Sequence, residues 1–357
     1  MLIDGQKTTA IWPDLAGNGV FILDQTVLPH RVAPVLLRNL GDSARAIADM
    51  LVRGAPLIGV TAAYGVALAM REDASDAFLA KASAVLRATR PTAVNLQWAL
   101  ARMQEFLAPL PPAERAEAAF AKAEEMAAAD IECNRSIGLH GLELIRAFQQ
   151  KRPGPVRILT HCNAGWLATV DWGTATAPIY QAQAAGIELH VFVDETRPRN
   201  QGASLTAFEL GQQGVPHTLI VDNAGGHLMQ HGEIDLVIVG ADRIAANGDV
   251  CNKIGTYLKA LAAFDNKIPF YVAAPVSTFD AALAEGRLIP IEERSAREVT
   301  HMSGLTASGD VTEVLIAPPT TPARNPAFDV TPARLVSGII TEKGVFAANG
   351  AALAGLI

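Results

Sequence analysis

From residue 156 onward, short apolar runs alternate with stretches of helical periodicity. The runs are 156–160 (VRILT), 187–193 (IELHVFV), 217–221 (HTLIV), 235–239 (DLVIV) and 268–273 (IPFYVA). Helical patterns fill 175–185, 203–213, 253–264 and 278–285. β-rich runs separated by helices predict a parallel, doubly wound sheet. The first half reads differently. Residues 8–38 alternate short apolar segments ("TTAIW", "GVFILDQTVLP", "HRVAPVLL") with turns, which predicts a small sheet. Helices follow. Asp42-Ser43 is the expected cap of "ARAIADMLV". "APLIGVTAAYGVALAMRE" is too apolar for a surface helix and reads as buried between others. "AVNLQWALARMQEFLA" starts just after Pro91-Thr92, and residues 112–145 read as one long helix. The polar, Pro/Gly-rich "QQKRPGP" at 149–155 marks the junction between two domains, 1–150 and 151–357. The fold class is therefore α/β: a mostly helical N-terminal domain with a small β-sheet, and a C-terminal parallel-sheet domain.

Composition narrows the class. At 357 residues the chain suggests roughly two domains of about 150 residues each. Hydrophobic residues make up 50%, charged residues only 18%, and the net charge is -7. Such a surface does not suit a polyanion, so nucleic acid is not an expected partner. The start "MLIDGQKTTAIWPD" lacks a basic segment followed by an apolar one, so no signal peptide is expected. No uncharged apolar run reaches about 18 residues, so no membrane span is expected. Cys133, Cys162 and Cys251 are too scattered for a disulfide framework. The expectation is a reduced, cytoplasmic protein.

In an open parallel sheet, ligands bind outside the carboxyl ends of the strands. Thr160-His161-Cys162-Asn163 follow the first run, Asp194-Glu195-Thr196-Arg197 the second, Asp222-Asn223 the third and Gly240-Ala241-Asp242-Arg243 the fourth. One thiol and several carboxylates thus converge on one edge, although each Asp or Asn alone reads equally as a cap. "ILTHCNAG" reads as a strand end, a tight turn and a helix beginning after Gly165. The Gly-x-Gly-x-x-Gly turn of a nicotinamide fold is missing after the first strand. The aspartates come without a paired-His motif, so no metal is expected. His161 is adjacent to Cys162, and neighbouring side chains point apart, which argues against a hydrolase pair.

Anions call for helix N-termini and cations. Arg53 precedes Gly54-Ala55 and a helix with Pro56 at its first turn. Arg90 in "ATRPTAVNLQ" and Asn252-Lys253 in "CNKIGTYLKA" sit at two further expected helix starts. Each alone reads as a surface charge. Together they suggest phosphate.

The blocks "VRGAPLIG", "RPTAVNL", "LTHCNAG", "DETRPRNQGASLTAFEL", "VIVGADRIAANGDVCNKIGT" and "NPAFDVTP" come in order over most of the chain. Together they resemble the methylthioribose-1-phosphate isomerase family of methionine salvage. The resemblance implies a helical N-terminal domain, a Rossmann-like C-terminal domain, a homodimer and no cofactor. It places the catalytic pair on Cys162 and Asp242. It places substrate binding on Arg53, Gly54, Ala55, Arg90, Gln201, Asn252 and Lys253. The implied reaction turns an aldose 1-phosphate into a ketose 1-phosphate. Phosphate blocks the anomeric carbon, so an acid must open the ring. Asp242, if buried, would be held protonated for that role. Cys162 would serve the hydrogen transfer between C2 and C1, as a thiolate activated by the helix start after Gly165 or by shaping a dry pocket for a hydride shift. Two alternatives stay open. One is an isomerase of ribose 1,5-bisphosphate or 5-deoxyribose 1-phosphate, the bisphosphate needing a second cation cluster for which Arg197 and Arg199 are candidates. The other is a non-catalytic regulatory subunit of a translation-initiation guanine-exchange factor. Cys133 reads as a core residue, Cys251 as a candidate lining residue and His161 as a turn residue. Trp166 and Leu167 are candidates for the methylthio end or for the core.

Overall fold

The computed structural model describes residues 1–90, 93–151 and 153–356. Pro91 and Thr92, after which a helix was expected to open, lie outside the described residues, as does Arg152 within the 149–155 break. Strands Ile11–Pro13, Val20–Leu23 and Pro34–Leu37 form the small N-terminal sheet. Five helices follow: α1 (Leu40–Ala48), α2 (Ala55–Glu72), α3 (Asp76–Thr89), α4 (Val94–Leu107) and α5 (Pro112–Gln149). α2 is buried without interruption from Leu57 to Met70, as its unbroken apolar sequence demands. α3 was not foreseen. The cap of α1 is Asn39, not Asp42-Ser43. Asn39 holds an extended backbone and accepts the Asp42 N–H at 2.8 Å, while Asp42 lies within the first turn.

The main sheet has seven strands. Their order is Gly344–Phe346, Gly338–Thr341, Phe270–Ala273, Leu236–Val239, Val156–Thr160, Leu189–Asp194, His217–Ile220. Every neighbouring pair is parallel except the first, which is an antiparallel edge hairpin. The first strand in sequence, Val156–Thr160, lies mid-sheet. The next two extend the sheet to one side, and the later ones to the other. That is the Rossmann order, and its topological switch lies between Val156–Thr160 and Leu236–Val239, paired Ile158 to Leu236. Leu236–Val239 is buried at all four positions, as a central parallel strand should be. Helices α6 (Ala177–Ala184), α7 (Ala207–Gln212), α8 (Ala224–Gln230) and α9 (Thr256–Asp265) complete the layers. One apolar cluster runs from the N-terminal strands through α2 and α5 to Ile158 and Val191 of this sheet. Among the described residues no helix is long and apolar enough to cross a membrane.

Three expectations need correction. The stretch 253–264 starts as strand: Val250–Lys253 pairs antiparallel with Arg243–Ala245 and Phe328–Thr331, and α9 opens only after Gly255, left-handed at φ 103°. The stretch 278–285 is not helical. After one 3-10 turn, Phe279–Asp280 adds a strand parallel to Ile244–Ala245. The helix after Gly165 is only a three-residue 3-10 turn, Trp166–Ala168, and α6 waits until Ala177. A fully exposed strand, Val311–Leu315, pairs with His301–Leu305 in a hairpin that no pattern announced.

Candidate active site

The two loops leaving the strands at the switch point carry Cys162 and Asp242. Cys162 is buried and holds a left-handed backbone, φ 64°. A non-glycine residue there is strained, and such strain persists only when neighbours fix it. They do. The Cys162 N–H donates to Thr196 Oγ1 at 2.8 Å, and Thr206 Oγ1 donates to the Cys162 carbonyl at 2.6 Å. The thiol donates to Gln201 Oε1 at 3.3 Å. Without a helix after Gly165, no macrodipole activates the sulfur. The nearby cation is Lys253, whose charge interacts with Cys162.

His161 has both ring nitrogens engaged: Nδ1 with Asp194 Oδ2 at 2.9 Å, Nε2 with the Ile254 carbonyl at 2.8 Å. It therefore supports the turn and has no free nitrogen for a substrate. His161, Asp194 and Asp222 bring ligand-type atoms within 4.8 Å of one another. The Lys259 ammonium sits against this group, 3.0 Å from Asp194 Oδ2 and bonded to the Asp222 carbonyl. Lysine already supplies a positive charge there.

Asp242 is half-buried, less enclosed than its sequence position suggested, and its N–H donates to the Cys251 carbonyl at 2.9 Å. Arg53 precedes α2 and binds Asn163 twice, Nη1 to Oδ1 at 2.5 Å and Nη2 to the carbonyl at 2.8 Å. Gly54, the α2 cap, has φ 92°, and a Cβ there would meet the Ala168 carbonyl at 2.4 Å. Glycine is required by conformation and by space alike. Arg90 caps the C-terminus of α3, so it is not at a helix start. Its Nη2 lies 3.6 Å from Glu292 Oε2, and among the described residues its buried Nε has no hydrogen-bond partner. Burial, and next the charge of Arg294, lower the Arg90 pKa. Lys253 ends a strand instead of starting a helix, and burial lowers its pKa as well.

One cleft is lined by all nine residues that the resemblance assigns to catalysis or substrate binding: Arg53, Gly54, Ala55, Arg90, Cys162, Gln201, Asp242, Asn252 and Lys253. Cys251 lines it too, its thiol pushed up to about 12 by burial and then by Asp242. Its apolar walls include Met50, Ile58, Ile289 and Phe328. Sequence reasoning missed Arg294, which lines the cleft and bonds Glu292 at 2.9 Å; "EERS" carried no helix or strand signal that would have placed it. It also missed Asn163 as the partner of Arg53. Trp166 and Leu167 are fully buried in the core and do not line the cleft. Cys133 packs on the same core, and burial raises its pKa strongly. Arg197 is spent on the carbonyls of Pro198 and Val299, and Arg199 pairs with Glu298 at 3.0 Å; neither lines the cleft.

Residues 51–348 match the model of the Initiation factor 2 subunit family. A methylthioribose-1-phosphate isomerase of Methylocella silvestris is 63% identical over 357 residues, 99% of this chain and 98% of the relative. The crystal structure of 5-methylthioribose 1-phosphate isomerase from Pyrococcus horikoshii OT3 superposes with a TM-score of 0.85 at 39% identity, covering 98% of this chain and 96% of that one. The translation initiation factor eIF-2B subunit delta from A. fulgidus does so with a TM-score of 0.79 at 41% identity, covering 96% of each chain. The chain belongs to the methylthioribose-1-phosphate isomerases, an enzyme branch of the Initiation factor 2 subunit family.

Proposed function

We propose that this chain converts 5-methylthioribose 1-phosphate into 5-methylthioribulose 1-phosphate. The observation that carries the reading is the meeting of a buried thiol and a carboxylate at the switch point of the sheet, in one cleft with Arg53, Arg90, Lys253 and Arg294. Cations of this kind suit a phosphate ester. Gly54, Ala55 and Asn252 line the same grip. Met50, Ile58 and Ile289 suit an apolar 5-substituent better than a second phosphate, and Arg197 and Arg199 are engaged elsewhere.

In this reading Asp242 gives its proton to the ring oxygen as the bond from C1 to that oxygen breaks. C1 is left electron-poor, stabilised by its phosphate ester oxygen. A hydrogen with its electron pair then moves from C2 to C1, and the C2 hydroxyl returns a proton to the Asp242 carboxylate. The ketone forms and the acid is restored. In the competing route the Cys162 thiolate takes the C2 hydrogen as a proton and returns it to C1. Either way both electrons stay within the substrate, so the balance needs no nicotinamide or metal. Water exclusion by the buried Cys162 loop serves both routes. The two-domain division, 1–150 and 151–357, belongs to the same reading. So does a cytoplasmic homodimer: Cys133, Cys162 and Cys251 are free thiols, and Leu258 and Phe264 stand exposed on α9.

The test is turnover on 5-methylthioribose 1-phosphate, 5-deoxyribose 1-phosphate and ribose 1,5-bisphosphate. The expected kcat/KM is far higher for the first than for the bisphosphate. Equal or reversed values would promote the bisphosphate reading. No turnover on any would favour a regulatory subunit.

A further inference from the structure

Behind the cysteine loop lies a carboxylate that does not itself line the cleft. Glu209, on α7, has no solvent exposure. Its Oε1 accepts from Asn163 Nδ2 at 2.9 Å and from the Leu167 N–H at 2.8 Å. Its Oε2 accepts from the Trp166 N–H at 3.0 Å and from the Tyr180 hydroxyl at 3.2 Å. Four donors thus converge on two oxygens, and an amide of the same shape would set an NH2 group against at least one of them. The loop is shaped to receive this group: a Cβ on Gly165 would meet Oε2 at 1.7 Å.

The consequence passes through Asn163. Its Nδ2 faces two acceptors, the Glu209 carboxylate and Thr206 Oγ1 at 3.1 Å. Its Oδ1 faces the Arg53 guanidinium, which only donates. The amide orientation is therefore fixed from both ends, and Glu209 decides which end Arg53 meets. Thr206, having accepted from Asn163, spends its own proton on the Cys162 carbonyl at 2.6 Å. The same segment supplies Gln201, the acceptor of the thiol. Gln201 and Thr206 are five residues apart, a spacing that an α-helix would turn well away from one face. Here Gly202–Thr206 forms a π turn, whose bonds close on the fifth residue, so both reach the cysteine loop.

We propose that Glu209 is the positioning residue of this site: it orients Arg53 through Asn163 and holds the Cys162 backbone through Asn163 and Thr206. The proposal rests on the reading of Arg53 as a phosphate ligand. Without Glu209 the Asn163 amide keeps only Thr206 as acceptor for its Nδ2, so it is held less firmly and Arg53 loses part of its fixed aim.

The experiment uses the full-length enzyme and inorganic phosphate as a competitive inhibitor. Glu209→Ala is expected to raise the phosphate Ki about tenfold, a loss of about 1.4 kcal/mol, and to lower kcat. In an Arg53→Ala background the same change should move Ki less than about twofold, because coupled residues are non-additive. Glu209→Gln keeps the volume and serves if the alanine variant does not fold; its rise in Ki should be smaller and equally dependent on Arg53. A lower melting temperature with unchanged Ki and kcat would make Glu209 structural and overturn the proposal. An equal rise of Ki in both backgrounds would overturn it as well. If Arg53→Ala raises Ki and Glu209→Ala does not, the positioning role alone falls. If Arg53→Ala leaves Ki unchanged, the phosphate reading falls first and takes this role with it.

Discussion

The Cys162 thiol donates to Gln201 Oε1 at 3.3 Å, and both side chains are buried. That bond selects one rotamer of the sulfur from those its strained backbone permits. A neutral hydrogen bond is worth about 0.5–1.5 kcal/mol. Gln201→Ala should therefore lower kcat by about three- to tenfold at saturating substrate. Gln201→Glu is more discriminating. It keeps an acceptor but sets a carboxylate beside the sulfur. A thiolate route should lose far more than Gln201→Ala does, while a hydride shift should not. Equal effects of the two variants would argue against a thiolate.

Cys162→Ser and Asp242→Asn are nearly isosteric. Each should cut kcat by at least about 10²-fold, the lower end of acid–base contributions. The double variant should be little worse than either single one if the pair acts as a unit. Substrate deuterated at C2 adds a second readout in ordinary water. Loss of label shows a proton removed by a base and excludes a pure hydride shift. Near-normal turnover of Cys162→Ser would leave the chemistry to Asp242 and the phosphate grip.

The legible and the hidden parts of this site divide along physical lines. Parallel strands buried on both faces are continuous apolar runs, so "VRILT" and "DLVIV" announced themselves, and topology then placed Cys162 and Asp242 at one edge. The residues read as phosphate contacts do line one cleft, but they reach it from other elements than expected. Arg90 closes α3 and Lys253 ends a strand, each a few residues ahead of the helix, α4 or α9, that it was expected to open. A cation reaches a cleft from any element, and spacing alone does not say which. Glu209 was unreadable for the opposite reason. In "TAFELGQQG" it looks like an ordinary surface acid of a helix. Only the π turn before it and the absent Cβ of Gly165 reveal what it faces.

Arg90 has a buried Nε–H with no partner among the described residues and an ion pair stretched to 3.6 Å. Such a group is poised for an anion. A hydrogen bond to a charged group is worth about 1.5–3 kcal/mol. Arg90→Ala should accordingly raise KM about ten- to a hundredfold. Arg294→Ala should act in the same direction, since Arg294 lines the same cleft and shares Glu292. Unchanged kinetics in Arg90→Ala would place the phosphate elsewhere.

Stability should fall as pH rises from about 4.5 to 7. Burial pushes Glu209 from its ordinary 4.5 up to about 7, against the pull of Asn163, Leu167, Tyr180 and Arg53. In that window the folded chain keeps a proton that the unfolded chain has released. The contribution is fully present below the unfolded pKa and is lost as pH rises through the folded one. Asp130, also pushed up to about 7 by burial, acts with the same sign. Melting temperatures measured across this range should show the decline. Glu209→Gln should make it shallower without abolishing it, because Asp130 still titrates. An unaltered slope in that variant would show that Glu209 stays ionised throughout.

Gly165 and Glu209 occupy each other's space so closely that they should behave as one unit in stability. Gly165 has φ -93°, an ordinary backbone, so alanine there suffers no conformational strain. The penalty is contact: its Cβ would lie 1.7 Å from Oε2 and 2.5 Å from Cδ of Glu209. Either the cysteine loop or α7 must shift, and Asn163, Trp166 and Leu167 would lose their shared acceptor. Overpacking of this kind costs about 1–3 kcal/mol, and the lost hydrogen bonds add to it. Gly165→Ala should therefore lower the melting temperature and kcat together. With Glu209→Ala already in place, the clash partner is gone. Gly165→Ala should then cost much less than it does alone, a coupling read from the four melting temperatures of the cycle. Additive losses would mean that the loop yields to the extra methyl by moving away from α7, with the carboxylate taking no part in holding it.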